Sequence, residues 1–446
     1  MTIVEMDTRQ VPLHKMYFSM AFPVVLSMVT AMVYNIADTW FISATGVTEL
    51  IAGVSLNAPV LTLLMAFGNI YGQGGSSLIS RLIGLRDSDS VRRISAMCFW
   101  LAIATGIAAG GAMLIFCRPL LLLLGADADT MQYASSYFIC IAVGAPFIIT
   151  SYIPTNLLRS EGLSRESMTA SISGTVVNII LDPIFIFGLG LGAMGAAIAT
   201  VLGYVFMDVY AVAVTIKKSS LLSVDIRDAH ILPAHAAQIF GTGIPAAITN
   251  ITQSISQVLV NQFLLAYGND KIAAMGIACK ASMAGSLVLV GLTFGALPLF
   301  GYYYGGGNKK KFLSLFRFCM SFVCAAALVL TVILSAGSGI FIKFFVSDAG
   351  LIEAGTLMLR LQAATLVFAG IVLLITIVFQ SMGRTVPMLI LSVSRQGVIF
   401  LIVLLIASAA AGYYGVISSQ AVSDVISAVL ALALVIPALK KLSRDS

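Results

Sequence analysis

Charge is scarce in this sequence: Asp, Glu, Lys and Arg make up 10% of its 446 residues, against 59% hydrophobic side chains. Such a chain cannot clothe a water-facing surface, which excludes an ordinary soluble domain. Histidine is nearly missing, and His14, His230 and His235 all stand outside the long apolar runs, so no haem or zinc centre can be assembled from them within a membrane. The six cysteines (Cys98, Cys117, Cys140, Cys279, Cys319 and Cys324) contain no CxxC pair and mostly lie in apolar runs. They read as small core residues, not as a disulfide or metal framework. A Walker phosphate loop is missing, as are HExxH and GxSxG within the apolar runs, which excludes ATP coupling by this chain and argues against an enzyme. Glycine clusters such as Gly72-Gln73-Gly74-Gly75 and Gly305-Gly306-Gly307 end apolar helices and follow no βαβ pattern, so they are expected to serve close helix contacts and turns. The apolar runs also lack the two-residue alternation of a membrane β-barrel.

What is present is a series of apolar runs, each long enough to span about 30 Å of hydrocarbon as a helix. They predict an all-α integral membrane protein with twelve transmembrane helices, at residues 16–42, 51–79, 94–116, 132–153, 167–187, 193–216, 238–266, 275–304, 312–335, 354–380, 387–408 and 413–438. Residues 1–15 are polar, and the first apolar run is too long for a secretory signal and has no small-residue cleavage site, so it is expected to remain as the first helix. Nineteen of the 25 Lys and Arg fall at the amino terminus, in connections after even-numbered helices, or in the carboxyl tail. By the positive-inside rule both termini are cytoplasmic, in a cell inner membrane. The net charge of +6 reflects this bias and implies no nucleic-acid partner.

The sequence also resembles itself at an offset of 220 to 223 residues. Ala21-Phe22-Pro23 answers Gly243-Ile244-Pro245, the run from Gly46 to Leu56 answers Gly268 to Ile277, Leu158-Arg159-Ser160-Glu161-Gly162 answers Phe379-Gln380-Ser381-Met382-Gly383, and Gly195 answers Gly415. Six helices per copy make this a parallel repeat about an axis along the membrane normal. The expected organisation is an amino-terminal six-helix lobe at 1–216, a cytoplasmic linker at 217–237 and a carboxyl-terminal lobe at 238–446, the two lobes pseudo-symmetric and flanking a cavity.

Ionisable groups inside a bilayer are costly and therefore functional candidates. Asp38 and Asp182 fall about 4 to 5 residues, roughly 6 to 8 Å, before the outer ends of helices one and five. Tyr137 and Thr200 reach a similar depth on helices four and six. Asn178 lies one turn below Asp182, and Tyr34 and Asn35 one turn below Asp38. Oxygen-bearing side chains from four helices thus converge, a set suited to coordinating Na⁺ or sharing a proton. Pro183 removes a backbone donor and frees a carbonyl near Ile179. Positions answering Asp38 and Asp182 in the second copy are apolar, near Val260 and Val403, and Gln420 answers Thr200, so the ion site is expected in the first lobe alone. Asp208, close to the cytoplasmic end of helix six, reads as a solvated charge before a ligand. Asp424 is open to two readings, substrate contact or a pair with Arg395; Lys280 and Arg360 are expected to snorkel or pair. Met65 and Met283, with Tyr34, Asn35 and Asp424, are candidates for lining a substrate cavity.

Taken together, Asp38-Thr-Trp-Phe-Ile-Ser, Leu158-Arg159-Ser160-Glu161-Gly162, Asn178-Ile-Ile-Leu-Asp182-Pro183 and Gly192-Ala-Met-Gly-Ala-Ala-Ile-Ala-Thr200 resemble the multidrug and toxic compound extrusion (MATE) transporters over nearly the whole chain. The second and third motifs are most similar to the bacterial and archaeal branch related to DNA-damage-inducible and staphylococcal-type exporters. The resemblance implies two six-helix lobes in a V shape and antiport of cationic, often aromatic compounds against H⁺ or Na⁺, with no other cofactor. It carries the cation site, a Na⁺ site if sodium is the coupling ion, onto Asp38, Asn178, Asp182 and Thr200, with Tyr137 as neighbour. A monomer in the lipid bilayer is expected. The alternative is a flippase for a lipid-linked saccharide or other amphipathic metabolite, which calls for a more cationic cavity than these sparse charges provide.

Overall fold

Backbone amides and carbonyls in hydrocarbon must satisfy one another, and a helix does so within a single segment. The computed structural model describes residues 2–230, 233–346 and 348–444, and among these it contains helices and no strand. A short α1 (Ile3–Thr8), closed by a Thr2–Glu5 capping box, precedes α2 (Leu13–Ser43). There follow α3 (Thr48–Ser55), α4 (Ala58–Leu85), α5 (Ser88–Ile115), α6 (Cys117–Leu123), α7 (Met131–Glu161), α8 (Ser164–Pro183) and α9 (Gly192–Lys218). The second half runs α10 (Pro233–Leu265), α11 (Asn269–Gly305), α12 (Lys309–Ala336), α13 (Ser338–Phe345), α14 (Ala349–Ala364), α15 (Leu366–Ser381), α16 (Thr385–Val393) and α17 (Ile399–Arg444).

Twelve crossings emerge once three irregularities are resolved. Among the described residues nine helical stretches are long and apolar enough to cross a membrane on length and hydropathy alone. One of them, Thr385–Arg444, is 60 residues long and comprises two crossings, because Gly412 adopts φ 55° and ψ −127° and breaks the helix there. Helices α14 and α15, bent by 43° at Thr365, form one broken crossing. The 33-residue α10 falls short on hydropathy because its second half is rich in Gln, Asn, Ser and Thr.

Residue contacts divide the chain into two compact units. Unit 1 contains Met1–Gln10 and Val29–Ala247; unit 2 contains Val11–Met28 and Ile248–Ser446. The linker at 217–237 therefore falls within unit 1, and of its residues Ile231 and Leu232 lie outside those described. The chain changes unit inside two helices: the first part of α2 packs in unit 2 and the first part of α10 in unit 1.

Glycine permits both packings. Within unit 1 a methyl at Gly74 would strike the Ile239 carbonyl, and one at Gly243 the Ile70 carbonyl. Within unit 2 a methyl at Gly291 would come within 2.6 Å of Val25 Cα, and one at Gly295 would strike Ala21. These are close helix crossings of the small-residue kind. Near them the Tyr17 hydroxyl donates to the Leu292 carbonyl at 3.1 Å within unit 2.

The linker is bound to unit 1 by specific polar contacts. Glu161, buried at the end of α7, accepts hydrogen bonds from the Ser219 hydroxyl and from the Ser220 amide at 3.1 Å. Ser223 donates to Asp228 at 2.6 Å, Arg92 pairs with the same carboxylate at 3.0 Å, and Trp100 donates to the Val224 carbonyl at 3.0 Å.

Candidate ion-binding site

Unit 1 brings the oxygen-bearing residues together through the close approach of α8 and α9. A methyl on Gly203 would lie 2.9 Å from the Gly174 carbonyl and 3.0 Å from Asn178 Cβ, so only a glycine there lets the helices meet. One turn before Gly203, Thr200 accepts a hydrogen bond from Asn178 Nδ2 at 3.3 Å. The same Thr200 hydroxyl lies 3.4 Å from the Tyr34 hydroxyl on α2, and the buried Tyr137 of α7 is a neighbour. Thr200 is thus the hub that ties α2, α8 and α9 at one level.

Unit 1 also carries buried oxygens that have no hydrogen-bond partner among the described residues. Asp182 is fully buried, and both its carboxylate oxygens lack a hydrogen-bond partner among the described residues. Asn178 Oδ1 and one oxygen of Asp38 are buried and unpartnered in the same way. Immediately after Asp182, Pro183 ends the α-helix, and residues Ile184–Gly188 continue as a π-helical turn. Such turns widen the backbone and recur at functional sites. A buried ionised carboxylate costs several kcal/mol unless paired. Four acceptor oxygens from two carboxylates and an amide suit a hard cation or a proton. Among the described residues no cluster of His, Cys, Asp and Glu suits a transition metal.

The remaining candidates are dispersed. Asn35 is exposed and donates locally to the Ala31 carbonyl at 2.8 Å. Met65 is half-buried on α4 in unit 1; Met283 is 40% exposed on α11 in unit 2. Asp424 in unit 2 pairs with Arg395 Nε at 2.8 Å and accepts from Gln420 at 3.0 Å and Thr365 at 3.2 Å. Arg395 lies in a second π-helical turn, Ser394–Val398, and its carbonyl accepts from Ser423 at 2.8 Å. Arg360 finds a neutral partner, Ser338 Oγ, at 3.0 Å, and Lys280 is exposed. Asp208 differs from the solvated charge expected: it is 6% exposed and both its oxygens lack partners among the described residues. It lies two turns along α9 from Val201, which fills the notch at Gly144 of α7, so α7 covers the α9 face that carries it.

Two further polar features escape a search for charge within the expected spans, one because it lies beyond the end of a span and the other because it is uncharged. One is Glu161, whose position in a quoted motif marks it but whose contact with the linker only the fold reveals. The other is the second half of α10, where Asn250, Gln253, Ser254, Gln257 and Asn261 share one helix face. Its signal is legible in the run Thr249-Asn-Ile-Thr-Gln-Ser-Ile-Ser-Gln257, which is polar at too many positions for a lipid-facing helix.

The family model MatE matches residues 23–184 and 245–406, two blocks that begin 222 residues apart and so coincide with the internal repeat. The chain is 30% identical over 427 residues to the multidrug export protein MepA of Staphylococcus aureus (strain NCTC 8325 / PS 47), covering 95% of this chain and 94% of that protein. It is 29% identical over 430 residues to MepA of Staphylococcus haemolyticus (strain JCSC1435), covering 96% and 94%. Among solved structures it is similar to a MATE protein in the straight conformation, with TM-score 0.91, 24% identity and 97% of each chain covered. It is similar also to an outward-facing multidrug resistance MATE family transporter of the MOP superfamily, with TM-score 0.92, 23% identity and 97% of each chain covered.

Proposed function

The chain belongs to the MatE family, and from that premise we propose that it is a multidrug exporter, moving small organic compounds, cationic and aromatic ones among them, out of the cell in exchange for H⁺ or Na⁺. The observation that carries the coupling half of this reading is the set of unpartnered buried oxygens on Asp38, Asn178 and Asp182 in unit 1. A carboxylate pair without a cationic side chain is stable in a low-dielectric setting only while a proton or small cation accompanies it. Site occupancy therefore changes the energy of this corner of the protein by several kcal/mol, enough to bias a two-state equilibrium.

Asp38 lies on α2, and the first part of that same helix belongs to unit 2. Cation entry draws Asp38 towards Asp182, and the tilt or repacking of α2 that follows is the step by which ion and drug are exposed in turn to the two sides of the membrane. The basic connections support an orientation with both termini on the cytoplasmic side, in which the cation enters from outside and leaves inside.

The test is efflux from vesicles with pH and Na⁺ gradients imposed separately. Asp182→Asn and Asp38→Asn are expected to abolish gradient-driven efflux while the protein remains in the membrane. Efflux by Asp182→Asn at the wild-type rate would remove the ion site from the mechanism, and the gradient that drives the wild type identifies the ion.

A further inference from the structure

The second half of α10 presents two exposed faces of opposite chemistry. Ile251, Ile255, Val258 and Leu265 form one, with exposures of 37%, 54%, 58% and 55%. Gln253, Ser254 and Gln257 form the other, also exposed, flanked by the half-buried Asn250 and Asn261. On a helix with 100° per residue the centres of these two sets lie roughly a quarter-turn to a third of a turn apart. The third side is the anchor, where the buried Ser256 donates to the Gln396 carbonyl in the π-helical turn and Thr252 packs against Gly397. The apolar face is what lipid requires. An amide exposed to hydrocarbon without a partner costs several kcal/mol, so the polar face cannot be a lipid face.

The amides are only loosely engaged. Gln257 Nε2 donates to Asn261 Oδ1 at 3.3 Å, and among the described residues its oxygen accepts only from the Cys279 thiol on α11, at 3.5 Å. Gln362 on α14 gives its protons to sulfur, Cys279 Sγ and Met275 Sδ, both at 3.3 Å. Thiols and thioethers are weak partners, so a ligand oxygen or nitrogen replaces them at little cost. No carboxylate, lysine or arginine takes part in this chain of contacts. The repeat sharpens the contrast: at the offset of 222 residues, Gln257 and Asn261 answer Asn35 and Thr39 of α2, while Val260 answers Asp38. The same helix of the repeat that holds a carboxylate in unit 1 holds neutral amides and a serine along this face in unit 2.

We propose that this amide face of α10, with Gln362 and Cys279 behind it, is a substrate subsite that takes uncharged hydrogen-bonding groups, such as aryl amine, amide, carbonyl and hydroxyl, of the exported compound. The proposal rests on the exporter reading and assigns within it the groups that distinguish one substrate from another. Gln253 and Gln257 can each donate and accept, so the subsite tolerates many arrangements of such groups, as a carrier of varied compounds needs.

Two probes separate this subsite from general affinity for lipophilic cations. Tetraphenylphosphonium has charge and aryl surface but no donor or acceptor; ethidium has comparable charge and surface and two aryl amines. Binding of both is measured on the purified full chain, and efflux of both in vesicles. In Gln253→Leu/Gln257→Leu the affinity for ethidium relative to tetraphenylphosphonium is expected to fall about tenfold, the equivalent of one or two net hydrogen bonds. Gln257→Asn retains part of that ratio, and Val258→Ala on the apolar face leaves it unchanged. A ratio within about twofold of wild type in the double leucine variant, or an equal loss for both probes, overturns the subsite. Selective binding that the leucines abolish, in a protein that pumps neither probe, supports the subsite and refutes the exporter reading instead.

Discussion

Arg395 and Asp424 offer the sharpest energetic test of unit 2. Replacing Arg395 with leucine leaves Asp424, whose side chain is 5% exposed, with two neutral donors, Gln420 at 3.0 Å and Thr365 at 3.2 Å. Breaking a buried ion pair from one side typically costs about 3–5 kcal/mol. The two surviving donors, at about 1 kcal/mol each, place the expected loss near the lower end, at about 3 kcal/mol. The reverse change, Asp424→Asn, is milder, at about 1–2 kcal/mol, because the Arg395 side chain is 20% exposed and retains some hydration. In Arg395→Leu/Asp424→Asn neither charge remains, and stability is expected to return to within about 1 kcal/mol of wild type. The assay is reversible unfolding of the purified protein in mixed micelles, read as a double-mutant cycle with a coupling energy of about 3 kcal/mol. If the double variant is as unstable as Arg395→Leu, the cost lies in lost packing and not in a stranded charge, and the reasoning fails.

The glycine crossings predict that Gly243→Val and Gly295→Val each destabilise the protein by about 1–3 kcal/mol through overpacking; unfolding curves matching wild type would contradict the close approach to Ile70 and Ala21. Thr200→Val removes the hydroxyl that Asn178 and Tyr34 share, and the cation concentration for half-maximal exchange should rise about tenfold for the loss of one or two net hydrogen bonds; an unchanged value would demote Thr200 from its place as hub. In the linker, the Ser223 hydroxyl first and the Arg92 guanidinium second hold the Asp228 carboxyl below the usual carboxylate range. A lowered folded-state value means that this clamp is complete above the ordinary pKa of about 4 and is lost as pH falls through the lowered value. Asp228→Asn should reproduce that loss at neutral pH as faster amide exchange over residues 219–230; equal exchange rates would refute the clamp.

The apolar spans were legible because lipid imposes one composition on every turn of a helix, and Asp38 and Asp182 because charge stands out against it. The Arg395–Asp424 pair was one of two readings the sequence allowed, since helical spacing gives depth but not partner. Depth alone misled for Asp208: position along α9 put it near the helix end, whereas its burial depends on α7 lying alongside, which no one-dimensional pattern records. Glu161 stands in the Leu158–Gly162 motif, yet its partners Ser219 and Ser220 are more than fifty residues away. Amides carry no charge, so the amide face of α10 does not stand out as an intramembrane charge does, although the same polarity keeps this helix from passing as a membrane span on hydropathy. The passage of α2 and α10 from one unit to the other has no local signature, since the glycines that allow it lie on α4, α10 and α11 among many others.

That passage has a consequence for the order of assembly during synthesis. Residues 11–28 emerge early, but the helix they pack on, α11, is made only after more than half the chain. Unit 1 likewise waits for residues 233–247 before its α4 groove is filled. Neither half of the duplicated chain can therefore mature alone in the membrane, however complete its six helices look in sequence. A polypeptide stopped at the linker leaves the nascent α2 with an uncovered face, recognisable to quality-control proteases, and the same half supplied together with its missing complement should be spared.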